Sequence, residues 1–391
     1  MNTTHVAVDL APLAQMLLVG AMVAALALGW VWLRQRGQAA WTWRQKLTVL
    51  TLVLTFDLVV FGAFTRLTDS GLGCPDWPGC YGHASPVGAV HHIQAAQTAM
   101  PTGPVTHGKA WIEMLHRYLA TGVGALILVL AVASWRELAD RSARLSPVER
   151  WWPTLTLVWV CVQGAFGAWT VTMKLRPAIV TLHLLGGLLL LALLCVQAQH
   201  QARRVRQTEP VRLDTGSARL LLLVCVLLGV QLALGGWVST NYAVLACTDF
   251  PQCQGRWWPD MRFDQAFTLW RDLGMTPDGE AISFAALTAI HNIHRLMAVV
   301  VLLAMAWLVA RLHRFVPLVR HARWLGGLAA LQLASGLGNV VLGWPLAAAL
   351  LHTGGAAAMV VVLTTVWART VRQPAAAPVA HSHAGVPGVP T

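Results

Sequence analysis

The stretch WIEMLHRYL, residues 111–119, places Glu113, His116 and Arg117 at the mouth of an apolar run that continues to about residue 134. Residues three apart on a helix share a face, so a carboxylate and an imidazole enter the apolar segment together. Ionisable groups in such a segment are expensive and mark function. The pattern recurs in HNIHRLMAV, residues 291–299, where His294-Arg295 repeats His116-Arg117 and His291 stands in the place of Glu113. His183 in TLHLLGG and His352 in LLHTGG each open a further apolar run, giving four paired histidines.

The surrounding composition explains why these positions are costly. Of 391 residues, 56% are hydrophobic and 11% charged, and the mean hydropathy is +0.58. That excludes an ordinary soluble domain. Apolar runs long enough to cross a bilayer lie near 11–33, 46–66, 111–134, 152–172, 178–199, 218–240, 284–310, 324–343 and 346–368. The fold expected is an all-α polytopic membrane protein.

The net charge of +12 does not imply nucleic acid, because the basic residues cluster in short loops between spans. Arg34, Arg36, Arg44 and Lys46 follow the first run, and Arg136, Arg141, Arg144 and Arg150 the third. Arg203, Arg204, Arg206, Arg212 and Arg219 follow the fifth. Arg311, Arg314, Arg320, Arg323, Arg369 and Arg372 continue the alternation. By the positive-inside rule these loops face the cytoplasm, with the N-terminus outside and the C-terminus inside. The first run has neither a basic stretch before it nor a small-residue cleavage signature, so it is expected to be an uncleaved helix.

Cys74, Cys80, Cys247 and Cys253 fall in outside loops, whereas Cys161, Cys195 and Cys225 lie within spans. Local pairs in an oxidising compartment read as disulfides Cys74–Cys80 and Cys247–Cys253 that fix loop shape. A metal knuckle is the competing reading, but each loop offers only two thiols.

The two cysteine loops are copies. FGAFTRLTDSGLGCPDWPGCYG, residues 61–82, aligns with LGGWVSTNYAVLACTDFPQCQG, residues 234–255: Gly62, Cys74, Asp76, Pro78, Cys80 and Gly82 each recur 173 positions later. His116-Arg117 recurs after 178 positions, and Gln163, Gly167 and His183 recur after 169 as Gln332, Gly336 and His352. The chain therefore divides into an extra N-terminal helix with its basic loop, 1–45, and a first four-helix unit, 46–199. A basic linker, 200–217, leads to a second unit, 218–368, and a Pro/Ala/Gly-rich tail, 369–391, is expected to be disordered. Parallel repeats of this kind are related by an axis along the membrane normal.

At 1.5 Å of rise per residue, His116, His183 and His352 lie roughly 7–9 Å below their expected helix starts. His294 comes out about 15 Å deep if its helix starts near 284, although the repeat favours equal depth. One such histidine would read as a hydrogen-bonded core residue. Four at repeated positions read as two axial pairs, because facing imidazoles hold a haem iron between them and a metal-bound imidazole is neutral.

Weaker candidates surround them. Asp57, mid-span and without a repeat counterpart, is a proton-path group or a hydrogen-bonded structural carboxyl. Arg66, Arg117 and Arg295 pair with haem propionates, snorkel, or bind loop carboxylates. His83, His91, His92 and His107 occupy a long outside loop, better read as solvated than as a zinc or copper site. His381 and His383 in the tail carry little weight.

The ordered set TRLTDSGLGCPDWPGC, WIEMLHR, LHLLGG, HNIHR and LLHTGG resembles haem A synthase over about residues 46–368. Members of that family are similar in having eight helices in two pseudo-symmetric four-helix bundles, so the helix at 11–33 is a departure. The resemblance implies oxidation of a ring methyl of haem O to a formyl group by two successive hydroxylations, in haem A biosynthesis for cytochrome oxidase assembly. It implies a haem b cofactor on His294 and His352 with Arg295 beside it. Haem O would sit between His116 and His183, with Arg117 beside it and Glu113 essential. The implied location is a bacterial inner membrane. The implied partners are the bilayer and haem O, with haem O synthase, an unidentified electron donor and oligomerisation left open.

The residues agree with that division. Only the first unit pairs its histidine with a carboxylate, which removing a proton from an oxidising methyl would need. A dihaem membrane cytochrome b or a haem carrier would use the same four histidines. The asymmetric Glu113 and the paired cysteine loops count against the former, and a carrier needs no acid or base.

Overall fold

The computed structural model describes residues 11–35, 42–139 and 147–372. Arg36, Arg141, Arg144 and the tail beyond 372, with His381 and His383, lie outside the described residues. Among those described, nine helices are long and apolar enough to cross a membrane, and the protein is an all-α polytopic membrane protein. They are α1 (Ala11–Gln35), α2 (Trp43–Leu67), α4 (His107–Ala139), α5 (Pro147–Thr172), α6 (Pro177–Arg206), α7 (Thr215–Thr240), α9 (Phe284–Leu312), α10 (Val319–Val341) and α11 (Leu346–Arg369). Short helices α3 (Val90–Ala99) and α8 (Phe263–Ala266) lie in the two long loops.

Polar residues set where these apolar helices begin. Thr42 accepts the Gln45 N–H at the start of α2, Asp214 the Ser217 N–H at the start of α7, and Ser283 the Ala286 N–H at the start of α9. Each cap contributes roughly 1 kcal/mol and fixes the register of the helix it opens. Pro177 in the first turn of α6 has no amide to leave unsatisfied there.

Consecutive helices pack alike in the two repeats, but the closing pair differs: α2 packs closely on α6, whereas its counterpart α7 barely meets α11. In the first unit α2, α4, α5 and α6 pack as neighbours, and in the second α7 packs on α9, α9 on α10 and α10 on α11. Between units, the equivalent helices α6 and α11 lie against each other, α2 packs on α11 and α7 on α6. Leu188, Leu191 and Ala357 form the buried seam, flanked by Phe56, Val59 and Leu232. The extra helix α1 packs on α4, where a Cβ built on Gly20 would come 2.4 Å from Thr121 Cγ2 and one on Gly122 2.8 Å from Val23 Cγ1. Small residues permit that close approach.

Two expected boundaries shift. The linker is shorter than 200–217, since α6 runs to Arg206 and α7 starts at Thr215. The tail does not begin at 369: residues Thr370–Arg372 form β2, paired in parallel with β1 (Val211–Leu213) from the linker. Backbone hydrogen bonding to β1 orders these three residues, which precede the Pro/Ala/Gly-rich stretch from 375 on.

Candidate functional site

Each of the four histidines lies against a glycine of the neighbouring helix. A Cβ built on Gly62 of α2 would stand 3.0 Å from His116 Nε2, and one on Gly235 of α7 3.0 Å from His294 Cε1. One on Gly167 of α5 would stand 3.5 Å from His183 Cε1, and one on Gly336 of α10 3.3 Å from His352 Cε1. These glycines recur at the same offsets as the cysteines and the helix-opening histidines. The backbone makes room for an imidazole at four equivalent places. His116 and His183 are within electrostatic reach of each other, as are His294 and His352. By helix count His116 and His294 lie nine and ten residues in, His183 and His352 six each, so symmetry mates match in depth. His116 is deeper than its expected helix start implied, because α4 begins at His107.

The ring nitrogens differ between the units. Ser335 Oγ lies 3.0 Å from His352 Nδ1 and donates to Leu331 O at 2.7 Å. Gln231 Nε2 lies 3.2 Å from His294 Nδ1 and donates to the His294 carbonyl at 3.3 Å. Gln332 Nε2 donates to the His352 carbonyl at 2.9 Å. In the first unit His183 Nδ1 is buried without a hydrogen-bond partner.

Glu113 and Arg117 serve the cysteine loop. One Glu113 oxygen accepts the Cys74 N–H at 2.8 Å and the other pairs with Arg117. Arg117 also donates to the carbonyls of Asp76, Pro78 and Gly79 at 3.0, 3.2 and 2.6 Å. The second unit repeats this: His291 Nδ1 accepts the Cys247 N–H at 3.3 Å, and Arg295 donates to Pro251 O at 3.1 Å and Gln252 O at 3.0 Å. The face that Glu113 was expected to share with His116 is thus given up for Arg117, one turn on. Both arginines bind loop carbonyls rather than loop carboxylates, and Arg295 Nη1 is left buried without a partner.

The loops themselves are built alike. Cys74–Cys80 and Cys247–Cys253 are disulfide-bonded, and Cys161, Cys195 and Cys225 are free. Asp76 accepts the Tyr81 and Gly82 amides at 2.6 and 2.8 Å, and Asp249 those of Gln254 and Gly255 at 2.7 and 2.8 Å. The Gly255 and Gln254 N–H groups hold the Asp249 carboxyl below its ordinary value. Gly82 and Gly255 sit at φ +73° and +69°, a conformation glycine adopts without strain.

The remaining candidates are dispersed. Asp57 is exposed, with no hydrogen-bond partner among the described residues, and lies five residues, about 140° of helix turn, from Gly62. Arg66 donates to Ser239 O at 2.6 Å and lies 4.0 Å from the Tyr242 ring, and Tyr242 Oη donates to Asp69 at 2.6 Å. Those contacts join equivalent positions of the two units. His92 stacks on Tyr81 at 5.4 Å with His83 beyond it at 6.3 Å, and His107 starts α4.

The donor set identifies the kind of metal group it suits. Among the described residues no three His, Cys, Asp or Glu side chains converge, so a bare ion would lack its usual three or four protein ligands. Two imidazoles suffice for an iron whose other four positions belong to a macrocycle. The hydroxyl beside His352 Nδ1 leaves Nε2 as that ring's free nitrogen. The residues fit a haem in each unit. Sequence reading missed Ser335 and Gln231, which have no repeat counterpart. It recorded the glycines as repeat marks without their role, although their constant offset was the signal.

Residues 45–364 match the family described as cytochrome oxidase assembly protein. A protein of Shewanella oneidensis named Heme A synthase is 39% identical over 322 residues, covering 81% of this chain and 93% of that one. Proteins of the same name from Rhizorhabdus wittichii and Mesorhizobium japonicum are 26% and 28% identical. They cover 82% and 78% of this chain and 91% and 84% of their own.

Proposed function

The chain belongs to the cytochrome oxidase assembly protein family, and from that premise we propose that it is a haem A synthase, oxidising a ring methyl of haem O to a formyl group by successive hydroxylations. The observation that carries the reading is the fourfold seat of an imidazole over a glycine, arranged as one histidine pair in each repeat. Its relatives' shared name supports the substrate and product.

In this reading 46–199 and 218–368 are two four-helix halves. His294 and His352 hold haem b, with the unpartnered Nη1 of Arg295 available to a propionate. When bound, haem b supplies one-electron redox chemistry. His116 and His183 receive haem O. Glu113 is the acid–base or positioning group on the substrate side, and Arg117 anchors the loop above it. The disulfide loops face the oxidising side of a bacterial inner membrane. Helix α1 starts on that side, because Pro12 abuts Gly79 and Met16 packs with Cys74 and Cys80.

Extraction of pigments from the purified protein tests the reading. Haem A or hydroxylated haem O beside haem b is expected. Haem b alone would assign the chain to dihaem cytochromes instead.

A further inference from the structure

We infer that Gln231 and Ser335 are positioning residues that make the second half a site of haem retention, and that their absence from the first half leaves its haem free to exchange. The inference rests on the haem A synthase reading and extends it to how one fold separates a resident haem from a transient one.

A histidine ligand is held in place when its second ring nitrogen has a hydrogen-bond partner, which fixes both tautomer and ring plane. Ser335 supplies that partner for His352. Its hydroxyl proton goes to Leu331 O, so its lone pairs face Nδ1, and Nε2 is left to the metal. Ser335 immediately precedes Gly336, so one turn of α10 provides both the space for the ring and the group that orients it. Gln231, one turn before Gly235 on α7, lies beside the His294 ring, its Nε2 3.2 Å from Nδ1 and 3.5 Å from the ring Nε2 and donating to the His294 carbonyl. With the amide turned end for end its oxygen, otherwise buried without a partner, accepts the Nδ1 proton when the ring Nε2 holds the metal. Two helices thus carry the same pair of features, a glycine under the ring and a polar side chain beside it.

The first half keeps the glycines and lacks the polar partners. At the repeat offsets of 173 and 169, Leu58 stands for Gln231 and Phe166 for Ser335. Leu58 packs with Val123, Ile127, Leu190 and Leu194, and Phe166 meets Trp169 edge-on at 5.2 Å. Neither offers a polar atom, and His183 Nδ1 remains unpartnered. A substrate haem that must enter, react and leave is served by ligands without such a brace.

The test uses the purified full-length protein loaded with haem, with transfer to excess apomyoglobin followed by absorbance. Wild type should release haem in two phases, the fast one lost in His116→Ala and the slow one in His352→Ala. Ser335→Ala and Gln231→Leu should each accelerate only the slow phase, by about tenfold or more, the usual effect of removing such a partner. They should also change the low-spin electron paramagnetic resonance signal, which Ser335→Thr should restore. An unchanged slow phase and signal in the double variant would overturn the inference while leaving the haem sites standing. So would a Ser335→Thr variant that leaks as fast as Ser335→Ala. If His294→Ala and His352→Ala both kept the slow phase, the parent reading would fall instead.

Discussion

Glu113 and His291 do the same mechanical work in opposite halves: each accepts the backbone N–H of the first cysteine in its loop, Cys74 at 2.8 Å and Cys247 at 3.3 Å. Only Glu113 adds a charge, which it shares with Arg117. The difference between the halves is therefore the charge and not the contact.

Glu113→Ala removes both. It should reduce haem A formation by roughly 10²–10⁴-fold if the carboxylate handles a proton, while the haem b spectrum persists. Loss of the buried partner of Arg117 should also cost about 3–5 kcal/mol of local stability. Glu113→Gln keeps an acceptor for Cys74. Wild-type turnover in Glu113→Gln, measured by haem analysis of membranes, would reduce Glu113 to the role of His291.

The glycine seats grade by distance. Gly62→Ala and Gly235→Ala put a methyl 3.0 Å from their imidazoles, so those rings must move, whereas 3.5 Å at Gly167 is ordinary contact. Gly235→Ala should shift the low-spin haem spectrum and Gly62→Ala should weaken haem O binding, with Gly167→Ala near wild type. Equal behaviour of all three would show that the rings do not depend on these seats.

Each disulfide closes a separation of six residues. By chain entropy that is worth about 2 kcal/mol. Cys74→Ser with Cys80→Ser should therefore lower thermal stability modestly and leave a folded loop, because Arg117 still binds three loop carbonyls. Non-reducing mass mapping should find Cys74 joined to Cys80 and Cys247 to Cys253.

Acid should loosen the second loop. Hydrogen bonds from Gly255 and Gln254 depress the Asp249 pKa. The stability they confer is present above the ordinary carboxylate value and is lost as pH falls through the lower folded one. Protection of the Gln254 and Gly255 amides, measured as exchange relative to the intrinsic rate at each pH, should fall over that window in wild type and lose this pH dependence in Asp249→Asn.

Much of this was legible because bilayers impose strong rules. Hydropathy alone located the nine spans, and internal repetition picked out the histidines. The start of α4 was missed by about a turn: His107 to Ala110 is too polar to register as a span, yet Thr106 caps it through the Lys109 amide. The direction of Glu113 was missed because spacing gives the face of a helix, not which of Arg117 or His116 takes the carboxylate. Ser335 and Gln231 were illegible because a lone serine or glutamine in an apolar helix has no pattern, and repetition cannot flag what occurs once.

The short parallel pairing of Val211–Leu213 with Thr370–Arg372 sets an order on biogenesis. The strand that opens the second half must wait for residues on the far side of its last helix, so that half cannot latch shut while it is still being synthesised. Its four helices enter the bilayer before the latch can close.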